Sequence, residues 1–121
     1  MRVTYKFYIA KEVWMLEIVS KNDVELLDQA GEKTLAVTDC RKRKIYLSEE
    51  LLYAPGESLK KVLIHELCHC VLYTYGMTDY LRKVVKKKYW VEAEENLANL
   101  MVNHARFIIS AAESLEERIL L

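Results

Sequence analysis

Residues 65–69 read His65-Glu66-Leu67-Cys68-His69, an HExxH motif. The spacing has chemical meaning on a helix. Residues four apart are separated by about 40° around the axis and about 6 Å along it, so two imidazoles share one face. Such a pair can bind one Zn²⁺. Glu66 sits about 100° from His65 and about 60° from His69, beside the pair rather than within it. A general base that takes a proton from water needs that placement. This composition would produce the motif by chance roughly 0.01 times. The bland alternative is two core histidines and a surface glutamate.

A catalytic zinc usually takes three protein ligands and keeps a fourth position for water. The HExxHxxGxxH solution is excluded, because Leu72 and Tyr75 stand where its glycine and last histidine would be. The other common solution is a glutamate from the next helix, where Glu92, Glu94 and Glu95 are on offer. Glu95 falls in the middle of a small and apolar stripe, Val91, Ala98, Asn99 and Val102. A carboxylate buried there without a partner would be costly. Glu92 lies about 60° away at the stripe's edge and Glu94 about 100° away. Helical phase therefore favours Glu95 and leaves Glu92 open, while the helix macrodipole would accommodate any of the three as a solvated carboxylate. His104 comes nine residues after Glu95, on the opposite side of that helix, and reads as a surface or packing residue. Cys68 and Cys70 diverge by about 200° and cannot both face one ion. They read as small buried apolar residues.

These side chains need a scaffold. The 121 residues, 52% hydrophobic and 30% charged, suit one domain and exclude intrinsic disorder. Three glycines and one proline exclude a sandwich of many short strands. Val3, Tyr5, Phe7 and Ile9 alternate with more polar residues, the period of a strand with one buried face. Val13–Val19 should pair with it. Asn22–Gln29 is a loop or one helical turn. Thr34–Thr38 and Lys44–Ser48 read as two more strands, joined by a tight turn over Asp39–Arg43. The short links predict mostly antiparallel pairing. Pro55–Gly56–Glu57–Ser58 reads as a helix start with Ser58 or a neighbour as cap, and Gly76 as the stop. On that helix Val62, His65, His69 and Leu72 share one side, and Leu63, Leu67 and Val71 form a second apolar stripe. A basic stretch, Tyr80–Lys88, precedes a last helix from about Trp90 to Arg118, whose pattern loosens near Ser110. The predicted class is α+β in a single domain, 1–121: a small, mostly antiparallel sheet of about four strands in the β-rich part, 1–50, then an HExxH helix and a long C-terminal helix in 57–121.

The formal net charge is zero, which argues against a dedicated nucleic-acid binder. Residues 92–121 carry a net −4 and the remainder +4. The basic runs Arg41–Lys44 and Arg82–Lys88 read as solvated surface. No stretch approaches the roughly 20 apolar residues of a membrane span, and the charged N-terminus fits no signal peptide. Three cysteines, Cys40, Cys68 and Cys70, then read as reduced thiols of a cytoplasmic protein.

Thr38–Tyr75 resembles the short, phage-associated members of the ImmA/IrrE-type zinc metallopeptidases, with its strand pair, its Ile45-Tyr46-Leu47 strand and its HELxH helix. Glu95-Asn96-Leu97-Ala98-Asn99-Leu100 is similar to that family's Glu-x-Leu-Ala-Asn-x-Leu segment, and the resemblance spans roughly residues 36–103. It implies a gluzincin-like site in which Zn²⁺ is held by His65, His69 and Glu95, with Glu66 as the catalytic base. Larger members cleave a repressor protein, but they carry domains that this chain lacks.

The expected activity is zinc-dependent hydrolysis of a peptide bond in a protein or peptide substrate. An extended substrate could add to the free edge of Lys44–Ser48 or Thr34–Thr38. Tyr73, Tyr75, Tyr89 and Arg106 are chemically able to stabilise an oxyanion, and the sequence does not choose among them. The competing expectation is a zinc-binding regulatory or interaction module that hydrolyses little, its cleft small and covered by the last helix.

Overall fold

The computed structural model describes residues 3–53 and 57–121. Four strands, β1 (Val3–Ile9), β2 (Glu12–Val19), β3 (Ala36–Asp39) and β4 (Lys44–Ser48), form one sheet in the order β1-β2-β4-β3. Three helices follow: α1 (Glu57–Thr74), α2 (Met77–Val84) and α3 (Trp90–Leu120). The α+β class and the long last helix are as expected.

β1 and β2 pair antiparallel through a hairpin whose two turn residues, Ala10 and Lys11, have φ of 49° and 71°. β3 and β4 also pair antiparallel, across a turn in which Asp39 Oδ1 accepts from the Lys42 amide at 3.2 Å. One pairing differs from expectation: β2 and β4 are parallel. The chain between β2 and β3 is long enough to carry it to the far edge of the sheet before the hairpin returns it beside β2. That crossover contains a 3₁₀ turn, Val24–Leu26, capped by Asp23, whose carboxylate accepts from the Glu25 amide at 2.9 Å.

The sheet uses both faces. Trp14, Ile45 and Cys70 are fully buried between one face and α1, with Phe7, Ile9, Leu16 and Cys40 around them. On the other face Val19 and Tyr46 pack against Leu26 of the crossover. Only the end of β1 joins this core. Val3 and Tyr5 are exposed, because no described element covers the outer half of that edge strand.

Of the expected helix-start cluster, Pro55 and Gly56 lie outside the described residues. Ser58 lies within α1 and is exposed, so it does not cap. α1 ends as predicted: Gly76 takes φ 79°, where a side chain would be strained, and the chain turns at once into α2. The basic stretch 80–88 is thus mostly helix, followed by a 3₁₀ turn at Lys87–Tyr89. The Trp90 indole donates to the Val85 carbonyl at 2.9 Å, and the Arg82 guanidinium lies 5.4 Å from its ring centre. Both contacts hold the corner between α2 and α3. α1 packs on the sheet and on α3, which leaves its third side open. Leu67 and Val71 are therefore more than one-third exposed rather than part of a second buried stripe. No helix among the described residues is long and apolar enough to cross a membrane.

Candidate metal centre

α1 presents His65 and His69 side by side, with their Nε2 atoms 3.2 Å apart. α3 brings Glu95 to both: Oε2 lies 3.0 Å from His65 Nε2 and Oε1 lies 3.0 Å from His69 Nε2. Among the described residues these three form the group able to hold a metal ion, their ligand atoms all within 4.8 Å of one another. Two atoms each about 2.0–2.1 Å from a tetrahedral ion are about 3.3 Å apart, close to the separations found here. The donor set of two imidazoles and one carboxylate fits Zn²⁺ and leaves a fourth position for solvent. Fully buried Ala98, one turn further along α3, lets the helices approach closely enough for this contact.

Glu94, next to Glu95, meets the other side of the same imidazole. Its Oε2 lies 2.9 Å from His69 Nδ1, and Thr78 Oγ1 of α2 donates to its Oε1 at 3.0 Å. A proton held on Nδ1 leaves the Nε2 lone pair free for a metal. Sequence reasoning did not find this role for Glu94. The only signal was the crowded acidic run, and Thr78 gave none. Glu92 is exposed and outside the group.

Glu66 is 7% exposed. Thr38 of β3 donates to its Oε1 at 3.0 Å, while Oε2 stands 3.9 Å from His65 Nε2. The carboxylate is thus near the three ligand atoms without joining them. Burial raises its pKa, and the neighbouring His69 and His65 oppose that rise. For His69, burial alone would lower the pKa. The hydrogen bonds to Glu94 and Glu95 outweigh it and raise the imidazole to about 10. Glu95 is held well below the usual carboxylate range by its hydrogen bonds to His65 and His69.

The group lies on the wall of an open cavity of about 1430 Å³ bounded by β3 and the three helices. The cleft is therefore not small. Val102 is the last residue of α3 that lines it, so the remainder of that helix leaves the site uncovered. Of the four proposed oxyanion donors, only Tyr73 reaches the cavity. Tyr75, Tyr89 and Arg106 do not line it, and Arg82, which was not considered, does. β4 is an interior strand and offers no edge. β3 is an outer strand, and its residues line the cavity. His104 is exposed and away from the cavity. Cys68 and Cys70 are buried, and all three cysteines are free thiols. Burial first, then nearby charge, pushes Cys40 and Cys70 up to about 12, so neither is a ready thiolate.

The SprT-like family model matches residues 13–100, which spans β2 through the first third of α3 and includes every residue of this centre. The chain belongs to the SprT-like family. Searches of curated proteins and of solved structures found no match. SprT-like domains are zinc-metallopeptidase-like folds built on HExxH, which agrees with the gluzincin-like expectation. The match is to this family and not to the ImmA/IrrE type. What the two share is the HExxH motif. The match ends at Leu100, about one-third of the way along α3.

Proposed function

We propose that this SprT-like chain is a zinc-dependent metallopeptidase that hydrolyses a peptide bond in a protein substrate. One observation carries the reading: His65, His69 and Glu95 converge on the wall of an open cavity with Glu66 beside them and outside the ligand group. In this reading His65 Nε2, His69 Nε2 and the Glu95 carboxylate hold the metal. A bound Zn²⁺ would supply Lewis acidity toward a water and a scissile carbonyl.

The chain's own residues do the rest. Glu66 Oε2 receives the water's proton and delivers it to the leaving amine. Thr38 fixes the rotamer of Glu66 by donating to Oε1, so that Oε2 is the oxygen turned to the reaction. Glu94 holds the His69 ring through Nδ1, and Thr78 holds Glu94. An extended substrate pairs with the free edge of β3 and runs past the metal group. Tyr73 and Arg82 are the two cavity-lining side chains able to donate to the developing oxyanion. A finer reading, a regulatory substrate of the phage-repressor kind, has support only in the ImmA/IrrE-type resemblance of residues 36–103.

The test is cleavage of an unfolded protein such as casein by the zinc-loaded chain, wild type beside Glu66→Gln. The expected result is cleavage lost in Glu66→Gln with zinc content unchanged. Cleavage that survives the substitution removes Glu66 as the base. A wild type that holds zinc and cleaves nothing supports the binding-module reading.

A further inference from the structure

From residue 103 onward α3 leaves the body of the protein. Its last 18 residues extend about 27 Å into solvent. That segment is apolar where solvent would require the reverse: Phe107 is 70% exposed, Ile108 62%, Leu115 52% and Ile119 78%. An isolated helix of this length gains little from its own backbone and needs an apolar face packed on something. The pattern shows what that face fits. Met101, Ala105, Ile108, Ala112, Leu115 and Ile119 recur at spacings of four and three, the a/d seam of a two-stranded coiled coil.

We propose that this surface is a self-association face, and that two copies of the chain pair through it as an antiparallel helix dimer. Side-chain volume chooses the direction. In a parallel pair each residue meets its own copy, so Ala105 and Ala112 would form two empty layers between crowded ones. In an antiparallel pair centred on Ser110, Ala105 meets Leu115 of the second copy and Ile108 meets Ala112. Met101 meets Ile119 at the ends. Every central layer then combines one alanine with one branched side chain, at nearly constant volume. The same register sets Arg106 on the flank that carries Glu116 of the second copy, twice by symmetry. It also places the two folded bodies at opposite ends of the helix pair, where they do not collide.

Ile108, Leu115 and Ile119 are the exposed large side chains of the tail that such a pair buries. A membrane surface is the less suitable occupant. The tail carries Glu113, Glu116 and Glu117 against only Arg106 and Arg118. A helix lying on anionic lipid has a basic polar face instead.

Sedimentation equilibrium of the intact chain tests the proposal. The expected mass is twice 14.2 kDa. Leu115→Asp should raise the dissociation constant at least about 100-fold, because a charge replaces an apolar side chain in two layers. Far-UV circular dichroism of that variant should show the body still folded, since Leu115 touches none of it. Direction is read by oxidising a mixture of Ala105→Cys and Leu115→Cys chains, with the native chain as control for Cys40. Cross-links between the two variants, and none within either alone, are expected. A monomer at about 100 µM overturns the proposal, whether or not anionic phospholipid vesicles capture it. So does a dimer that Leu115→Asp leaves intact. Cross-linking within each variant overturns the antiparallel register.

Discussion

The two halves of α3 share one secondary structure and almost nothing else. From Trp90 to Val102 the helix packs on α1 and α2, buries Ala98 completely, and brings Glu94 and Glu95 to His69. Beyond Val102 it lines none of the cavity, and its large side chains are mostly exposed. The packed half has its rotamers set by neighbours and can hold a ligand atom to a fraction of an ångström. The free half has only the helix to order it. The same helical pattern thus serves a rigid site in one half and a surface in the other, and tertiary contact alone makes the difference.

Substitutions should separate the halves sharply. The largest effect is expected from Glu95→Ala, with zinc content falling from about one ion per chain to near zero by metal analysis, because two histidines alone rarely hold the ion. Glu92→Ala, one turn away but exposed, should leave zinc content unchanged. Glu94→Ala should lower zinc affinity about 10–100-fold by competition with a chromophoric chelator, since His69 loses the group that orients it. Next comes overpacking. Ala98→Leu should cost about 1–3 kcal/mol in urea unfolding, because the close contact of α1 and α3 has no room for three more carbons. In the free half, Ile108→Ala should shift monomer stability by less than about 0.5 kcal/mol, although it removes as many carbons as Ala98→Leu adds. Equal costs at the two positions would erase the distinction between the halves.

Protons sharpen the same contrast, because Glu94 and Glu95, the carboxylates that the packed half brings to His69, are both lowered by their hydrogen bonds to histidine. His69 in the metal-free chain is raised from 6.5 to about 10. Its protonated form therefore stabilises the fold fully below pH 6.5, and that stability is lost as pH rises through about 10. The metal-free chain should become easier to unfold across that window. Zinc must displace the same proton, so its affinity should rise with pH, and calorimetry in buffers of different ionisation enthalpy should detect proton release.

Much of the site was legible because its geometry is local. His65, Glu66 and His69 are placed by the pitch of a single helix, which spacing alone specifies. The preference for Glu95 over Glu92 came from helical phase, and Glu95 is the one that meets both histidines, because a carboxylate inside an apolar stripe faces whatever that stripe packs against. Glu94 was not legible. At about 100° from Glu95 it looked like surface, yet an imidazole has two nitrogens, and adjacent residues of one helix can meet both.

The strands divide in the same way. Alternation placed β1, short β-rich runs placed the other three, and Asp39 marked its turn. The parallel pairing of β2 with β4, and the choice of β3 rather than β4 as the free edge, depend on where a long crossover carries the chain. Periodicity is blind to that choice, because a strand reads the same on either side of its neighbour.

By itself the sequence determined the four strands, the two long helices and the HExxH face, since each follows from a local pattern within one helix or strand. Only the tertiary structure decided that Thr38 secures Glu66, that Thr78 and Glu94 secure His69, and that the tail stands clear of the cleft. Those contacts join residues far apart in the chain, and their partners are set by packing between elements, which no single repeat encodes.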